Sequence, residues 1–93
     1  MIILSYDISN DKVRTRFAKF LNKYGRRLQY SVYEIRNSQR ILNNILEEIK
    51  INYEKQFTEA DSVVIFQVCE AGKKKIIRFG YARNEEQDVV LFS

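Results

Sequence analysis

The sequence predicts an α+β domain in which two amphipathic helices cover one face of a small antiparallel sheet. Three observations carry this. Runs rich in β-branched, aliphatic and aromatic residues recur at 2–6, 28–35, 62–69, 75–79 and 89–92. Two segments between them, beginning near Asn10 and Ser38, repeat apolar residues at helical spacing. With no Pro and only three Gly in 93 residues, nothing reads as a linker or a low-complexity stretch. Residues 1–93 therefore form a single domain. A chain of this size buries only roughly 60–65% of its unfolded surface, which leaves its stability marginal.

Residues 2–6 are short, apolar and β-rich, and read as a strand buried on both faces that ends on Asp7. Ser9 or Asn10 then offers a helix N-cap. Val13, Phe17, Phe20, Leu21 and Tyr24 form one apolar stripe, and Gly25 stands where a left-handed C-cap would stop the helix. Residues 28–35 read as the second strand. Arg36 and Asn37 turn into a second helix capped by Ser38, with Ile41, Leu42, Ile45, Leu46, Ile49 and Tyr53 at helical period. Residues 62–69 are the most strand-like stretch and are expected to be central. A turn at 70–74 leads to a fourth strand at 75–79. After Gly80 the chain is polar and acidic until residues 89–92, a short fifth strand within a tail spanning 81–93.

The expected order is β-α-β-β-α-β with a short extra C-terminal strand. That is the ferredoxin-like arrangement, with both helices on one face of the sheet. The other face then needs a cover, and a second copy is the simplest one, giving a homodimer through the open sheet faces. The tail strand would pack on the partner protomer and shield its sheet edge.

Sixteen Lys and Arg against twelve Asp and Glu give a net charge of +4. The distribution matters more than the sum. Lys12, Arg14, Arg16, Lys19, Lys23, Arg26 and Arg27 follow one another without an intervening acid. Residues 47–61 are instead acidic, with Glu47, Glu48, Glu54, Glu59 and Asp61 against Lys50 and Lys55. On the first helix Lys12, Arg16, Lys19 and Lys23 fall on one flank and Arg14 on the other. The stripe runs roughly 16 Å at about 1.5 Å per residue, which matches about five base pairs of phosphates at about 3.4 Å per nucleotide. A solvated helix face usually mixes signs, and this one does not. Binding to the backbone of double-stranded DNA is the expectation. Base stacking on the sheet is not, because the stretch 62–69 has a single Phe and lacks the Gly-aromatic signature of RNA-recognition modules.

One Cys and no His exclude a zinc cluster, a Ser-His or Cys-His nucleophile and imidazole acid–base chemistry. Cys69 lies in an apolar run and is expected to be buried packing. The absence of any intrachain disulfide suits a reducing, cytoplasmic setting. Asp7 interrupts the apolar start too early for a signal peptide or a membrane span, so no membrane partner is expected. Asp7 itself has two readings. It is a turn residue at a strand end, or it is one ligand of a Mg²⁺ ion completed by water, phosphate and the Asp7 of a second copy.

Tyr6-Asp7-Ile8 closing the first strand, the basic helix, Tyr24-Gly25 and Gln29-Tyr30-Ser31-Val32-Tyr33-Glu34 together resemble the CRISPR-associated protein two family. These are small adaptation proteins that partner the CRISPR integrase in spacer acquisition. The resemblance covers nearly the whole chain. It implies a homodimer whose open sheet faces meet across a two-fold axis, with Asp7 of each chain near that axis. There Asp7 is similar to a metal-binding aspartate linked to Mg²⁺-dependent, or Mn²⁺-dependent, hydrolysis of RNA or DNA. Arg14 and Arg16 take positions that clamp a duplex backbone, and Ser31 takes one beside the aspartate, able to bond to it or to a bound water. The resemblance also implies a scaffold role, with integrase dimers at the two ends and the spacer duplex across the middle. Two other readings stay beside it: a metal-dependent endonuclease or endoribonuclease acting on DNA or single-stranded RNA, and a toxin-type ribonuclease of similar fold.

Overall fold

A computed structural model describes residues 1–80 of the chain. The expected tail at 81–93 and its strand at 89–92 lie outside the described residues. Strand β1, Ile2–Asp7, leads to helix α1, Asp11–Asn22. Strands β2, Gly25–Gln29, and β3, Val32–Ile35, form a hairpin that feeds helix α2, Gln39–Glu48. A wide π-helical turn at Ile49–Tyr53 and a 3₁₀ turn at Glu54–Gln56 extend α2, and strands β4, Ser62–Val68, and β5, Lys74–Gly80, complete the sheet. All pairings are antiparallel, in the order β2-β3-β1-β4-β5. The first four strands and two helices give the ferredoxin-like order, and β5 widens the sheet beyond β4.

The expected fold class holds, but its strands are divided differently. The stretch 28–35 is not one strand. It breaks at Tyr30-Ser31, and the pairing of β2 with β3 shifts register between Arg27 and Gln29. That segment has no Gly, Pro, Asn or Asp to mark a turn, so local composition hides the hairpin. The hairpin supplies the second strand of the ferredoxin-like set, and the strand expected at 75–79 is the added one. The stretch 62–69 is interior, as its composition suggests, yet β1 is the middle strand of the five.

Strand β1 is buried on one face only. Ile2, Leu4 and Tyr6 are buried, while Ile3 and Ser5 are half-buried and Asp7 is exposed. The inward set joins Tyr33, Ile35, Val63, Ile65 and Phe79 from the other strands. Onto it pack Val13, Phe17 and Leu21 of α1, and Leu42, Ile45, Ile49 and Tyr53 of the second helical segment. Phe17 is the hinge of this layer, meeting Tyr6 edge-on at 5.2 Å and Tyr53 at 4.9 Å between ring centroids. Ser38 caps α2 as expected, and of the two candidates Ser9 and Asn10 it is Asn10 that caps α1. Asn10 Oδ1 accepts from Val13 N at 3.0 Å and Ser38 Oγ from Ile41 N at 3.3 Å.

Two expectations fail for physical reasons. Gly25 is not a left-handed cap; α1 ends in tight bonds from Lys23 N to Phe20 O and Tyr24 N to Leu21 O, and Gly25 opens β2 without a positive φ. Glycine is needed there because a Cβ would sit 2.2 Å from the carbonyl oxygen of Glu34, across the β2–β3 pair. Cys69 is exposed rather than buried. The sheet pairing ends at Val68, and Cys69 enters the turn to β5, its N–H donating to Lys73 O at 2.9 Å.

Asp61 is the one buried charged side chain among the described residues, with 1% of its surface exposed. Its Oδ1 accepts from both the backbone N–H and the hydroxyl of Ser9, each at 2.9 Å, and its Oδ2 accepts from Thr58 N at 2.9 Å. The carboxylate thus ties the loop after β1 to the loop before β4. Burial pushes its pKa up, but the bonds from Thr58 and Ser9 outweigh burial and hold it below the ordinary 3.8.

Two outcomes follow from this packing. Gly25→Ala forces a methyl against a backbone carbonyl and should lower unfolding stability by about 1–3 kcal/mol, read as a lower denaturation midpoint at unchanged m-value. The Asp61 carboxylate has a depressed folded pKa, so its stabilisation is full above pH 3.8 and is lost as pH falls through the folded value. The melting-temperature gap between the protein and Asp61→Asn should therefore be largest near neutrality and close in strong acid.

Candidate nucleic-acid interface and carboxylate site

Asp7 is the last residue of β1 and shares the outward face of the sheet with Ile3 and Ser5. Its register partner on β4 is Ser62. On the other side of β1 the backbone N–H of Tyr6 donates to the carbonyl of Ser31 at 3.1 Å. The turn of the β2–β3 hairpin is thereby fastened beside the end of β1, one residue from Asp7. The resemblance implies Ser31 beside Asp7, bonding to it or to a bound water; the bond described for Ser31 here is the one its carbonyl accepts.

The donor set decides what this end of the sheet can hold. Among the described residues no three His, Cys, Asp or Glu gather closely enough to enclose a metal ion. At this end of the sheet Asp7 offers an exposed carboxylate, with Ser62 opposite it in register. That suits Mg²⁺, which keeps several waters and accepts one or two carboxylates plus phosphate oxygens. It does not suit an ion that needs a closed protein cage.

Helix α1 carries its cations on the solvent side. Lys12, Arg16, Lys19 and Lys23 are exposed, and the first three, with Asp11 and Thr15, line a shallow recess of about 410 Å³. Arg16 donates to Gln56 Oε1 at 2.8 Å, which steadies it against the second helical layer. The lysines make no ion pair among the described residues. Arg14, on the other flank, is half-buried and turns inward. It donates to the carbonyls of Ile8 at 2.9 Å and Ser9 at 3.4 Å, and it pairs with Asp11. Much of its fork is spent on closing the loop that joins Asp7 to α1.

The remaining arginines of the basic run do not join the α1 stripe. Arg26 faces outward on β2 and pairs with Glu34 at 3.0 Å. Arg27 lies on the helix side, donating to the hydroxyl of Tyr33 at 3.2 Å, with its guanidinium carbon 5.5 Å from that ring centroid. Burial raises the pKa of the Tyr6 phenol and Tyr33 adds to the rise, while Arg27 and Arg14 pull it back. The fields of both arginines thus converge on the inner end of β1.

Asp61 and Ser62 were not legible as site residues. Asp61 stood among the acids of 47–61. The spacing Thr58-x-x-Asp61 carries the local half of its bonding, but its partner Ser9 is 52 residues away. Ser62 becomes relevant only through its register with Asp7.

A family model described as "CRISPR associated protein Cas2" matches residues 1–76. The chain is 28% identical over 94 residues to a protein of Methanospirillum hungatei named CRISPR-associated endoribonuclease Cas2 2, with 97% of each chain covered. It is 32% identical over 56 residues to CRISPR-associated endoribonuclease Cas2 3 of Synechocystis, covering 60% of this chain and 61% of that one. Against CRISPR-associated endoribonuclease Cas2 4 of Rhodospirillum rubrum it is 38% identical over 47 residues, covering 50% and 38%. No solved structure matches significantly. With the basic helix, the strand-end aspartate and the ferredoxin-like order in place, this match over most of the chain establishes that the protein belongs to the Cas2 family of CRISPR-associated proteins.

Proposed function

We propose that this CRISPR-associated protein is a scaffold of spacer acquisition, binding the backbone of duplex DNA and bridging dimers of the CRISPR integrase as a homodimer. The observation that carries the reading is the α1 stripe, in which Lys12, Arg16 and Lys19 surround one recess and Lys23 extends it. Exposed cations at this spacing fit successive phosphates and read no base sequence. The outward sheet face supports the dimer. Ile3, Val32, Val64, Phe66 and Ile76 share that face by register and are half-buried, so a second copy laid against it would remove a band of apolar surface from water.

A second reading, a Mg²⁺-dependent endonuclease cutting RNA or DNA, is favoured by the exposed Asp7 at the strand end and by the endoribonuclease names of the relatives. In it Asp7 from each copy is the protein ligand, and Ser31 and Ser62 flank it. Mg²⁺ or Mn²⁺ bound there would supply Lewis-acid polarisation of a phosphoryl oxygen. Asp7 would orient the ion, and the α1 cations would hold the strand across it.

The two readings separate experimentally. For the scaffold, neutralising about six to eight phosphates per dimer gives a slope of log K against log salt of roughly −5 to −7, largely independent of sequence. Replacing Lys12, Arg16 and Lys19 together by Ala should flatten it by up to about 5; a slope near zero in the unaltered protein excludes the reading. For the nuclease, Asp7→Asn should abolish Mg²⁺-stimulated cleavage yet leave assembly with the integrase and a short duplex intact. Loss of that assembly would make Asp7 part of the scaffold itself.

A further inference from the structure

The loop between β1 and α1 is held from two sides. From α1, Arg14 grips the carbonyls of Ile8 and Ser9. From the other side, the Asp61 carboxylate takes the N–H and the hydroxyl of Ser9, with Thr58 N closing its second oxygen. Ile8, between these grips, is 2% exposed. The strand pair β1–β4 ends at Asp7 and Ser62, so Asp61 is the residue that closes the chain just past the final rung. Alternation along 61–62 turns Asp61 inward to the loop and sets Ser62 opposite Asp7.

A strand end normally frays, and an exposed side chain on it wanders with the backbone. Here the residue two places beyond Asp7 is anchored by a buried carboxylate, which leaves Asp7 exposed on a fixed backbone. Such fixing matters most where few protein ligands share the ion, and among the described residues no three His, Cys, Asp or Glu gather to hold one.

We propose that Asp61 is a positioning residue for Asp7: through Ser9 it fixes the backbone that carries the Asp7 carboxylate, and so sets the affinity of that carboxylate for a divalent cation. This rests on the reading of Asp7 as a cation ligand. Asp61 touches neither substrate nor ion in this scheme. Its second effect is on α1, since Ser9 precedes the cap residue Asn10 and the same bonds fix where the basic helix begins.

The test is titration of Mn²⁺ alone into the full chain, followed by its electron paramagnetic resonance signal at a temperature where circular dichroism shows every variant folded. Asp7→Asn should abolish binding. Asp61→Asn, which presents N–H to Thr58 N–H, should raise the Kd about tenfold, the lower end of what loss of a ligand-orienting partner costs. Ser9→Ala removes the hydroxyl's bonds to Asp61 and Thr58 but keeps the backbone N–H bond to Asp61, and should raise it by a smaller factor; it carries the test alone if Asp61→Asn does not fold. Ile45→Val, a core change remote from the loop, should destabilise the chain without altering the Kd. If Asp7→Asn weakens binding while Asp61→Asn and Ser9→Ala leave it unchanged, the positioning role is overturned and the cation site stands. If the protein binds no Mn²⁺, or binds it regardless of Asp7→Asn, the cation reading falls and the proposal with it.

Discussion

Strand β1 is hydrogen-bonded along both edges, to β3 and to β4, and its side chains alternate between the two faces of the sheet. Burying Ile2, Leu4 and Tyr6 beneath the helices therefore places Ile3, Ser5 and Asp7 on the outward face. A slip of one residue would put the Asp7 carboxylate into the apolar layer around Phe17 and turn Tyr6 out to water. The ladder to β4 would resist it as well, because all six residues of β1 have register partners there. The position of the carboxylate is thus a consequence of core packing, and the open sheet face is a consequence of the same alternation.

Electrostatics are arranged around that frame by assigning different tasks to residues of one charge. Arg14, Arg26 and Arg27 have intramolecular partners: loop carbonyls and Asp11, the Glu34 carboxylate, and the Tyr33 hydroxyl. The rigid guanidinium fork suits such fixed contacts. The lysines of α1 are left to solvent, where a mobile point charge suits a phosphate backbone of variable sequence and shape. The run of seven cations therefore divides: Arg14, Arg26 and Arg27 make contacts within the chain, Lys12, Lys19 and Lys23 face solvent, and Arg16 does both, exposed yet bonded to Gln56. Among the described residues the outer strands of the sheet, β2 and β5, carry Arg26, Arg27, Lys74 and Lys75, where a bare apolar edge would invite further strand pairing.

Asp61 stands against the usual rule that a buried charge is costly. Three donors from Ser9 and Thr58 compensate it, and its pKa lies below the ordinary value despite the burial. The carboxylate does for two irregular loops what a ladder does for strands, and it does so at the end of the sheet where the candidate site lies. It also settles which residue caps α1. Ser9 and Asn10 are both suitable by type, but the Ser9 hydroxyl is engaged by Asp61, and Asn10 caps the helix.

What the sequence by itself determined was whatever depends on neighbours along the chain. The helical stripes of Val13, Phe17 and Leu21 and of Leu42, Ile45 and Ile49, a cap at Ser9 or Asn10 and another at Ser38, the strand ending on Asp7 and the run of cations along α1 were all legible from period and residue type. The family resemblance rested on the same local motifs, and the match over residues 1–76 bears it out. Tertiary structure decided the rest. A β-rich segment became a hairpin because β3 pairs with β1 as well as with β2, and Gly25 was required by a carbonyl on the facing strand rather than by a helix end. Cys69 was exposed because the β4–β5 pairing stops one residue short of it. Asp61 acquired its role from Ser9, 52 positions away. Residue type and spacing report the free energy of local conformations, whereas these four outcomes depend on which distant backbone group comes to lie within hydrogen-bond or contact distance.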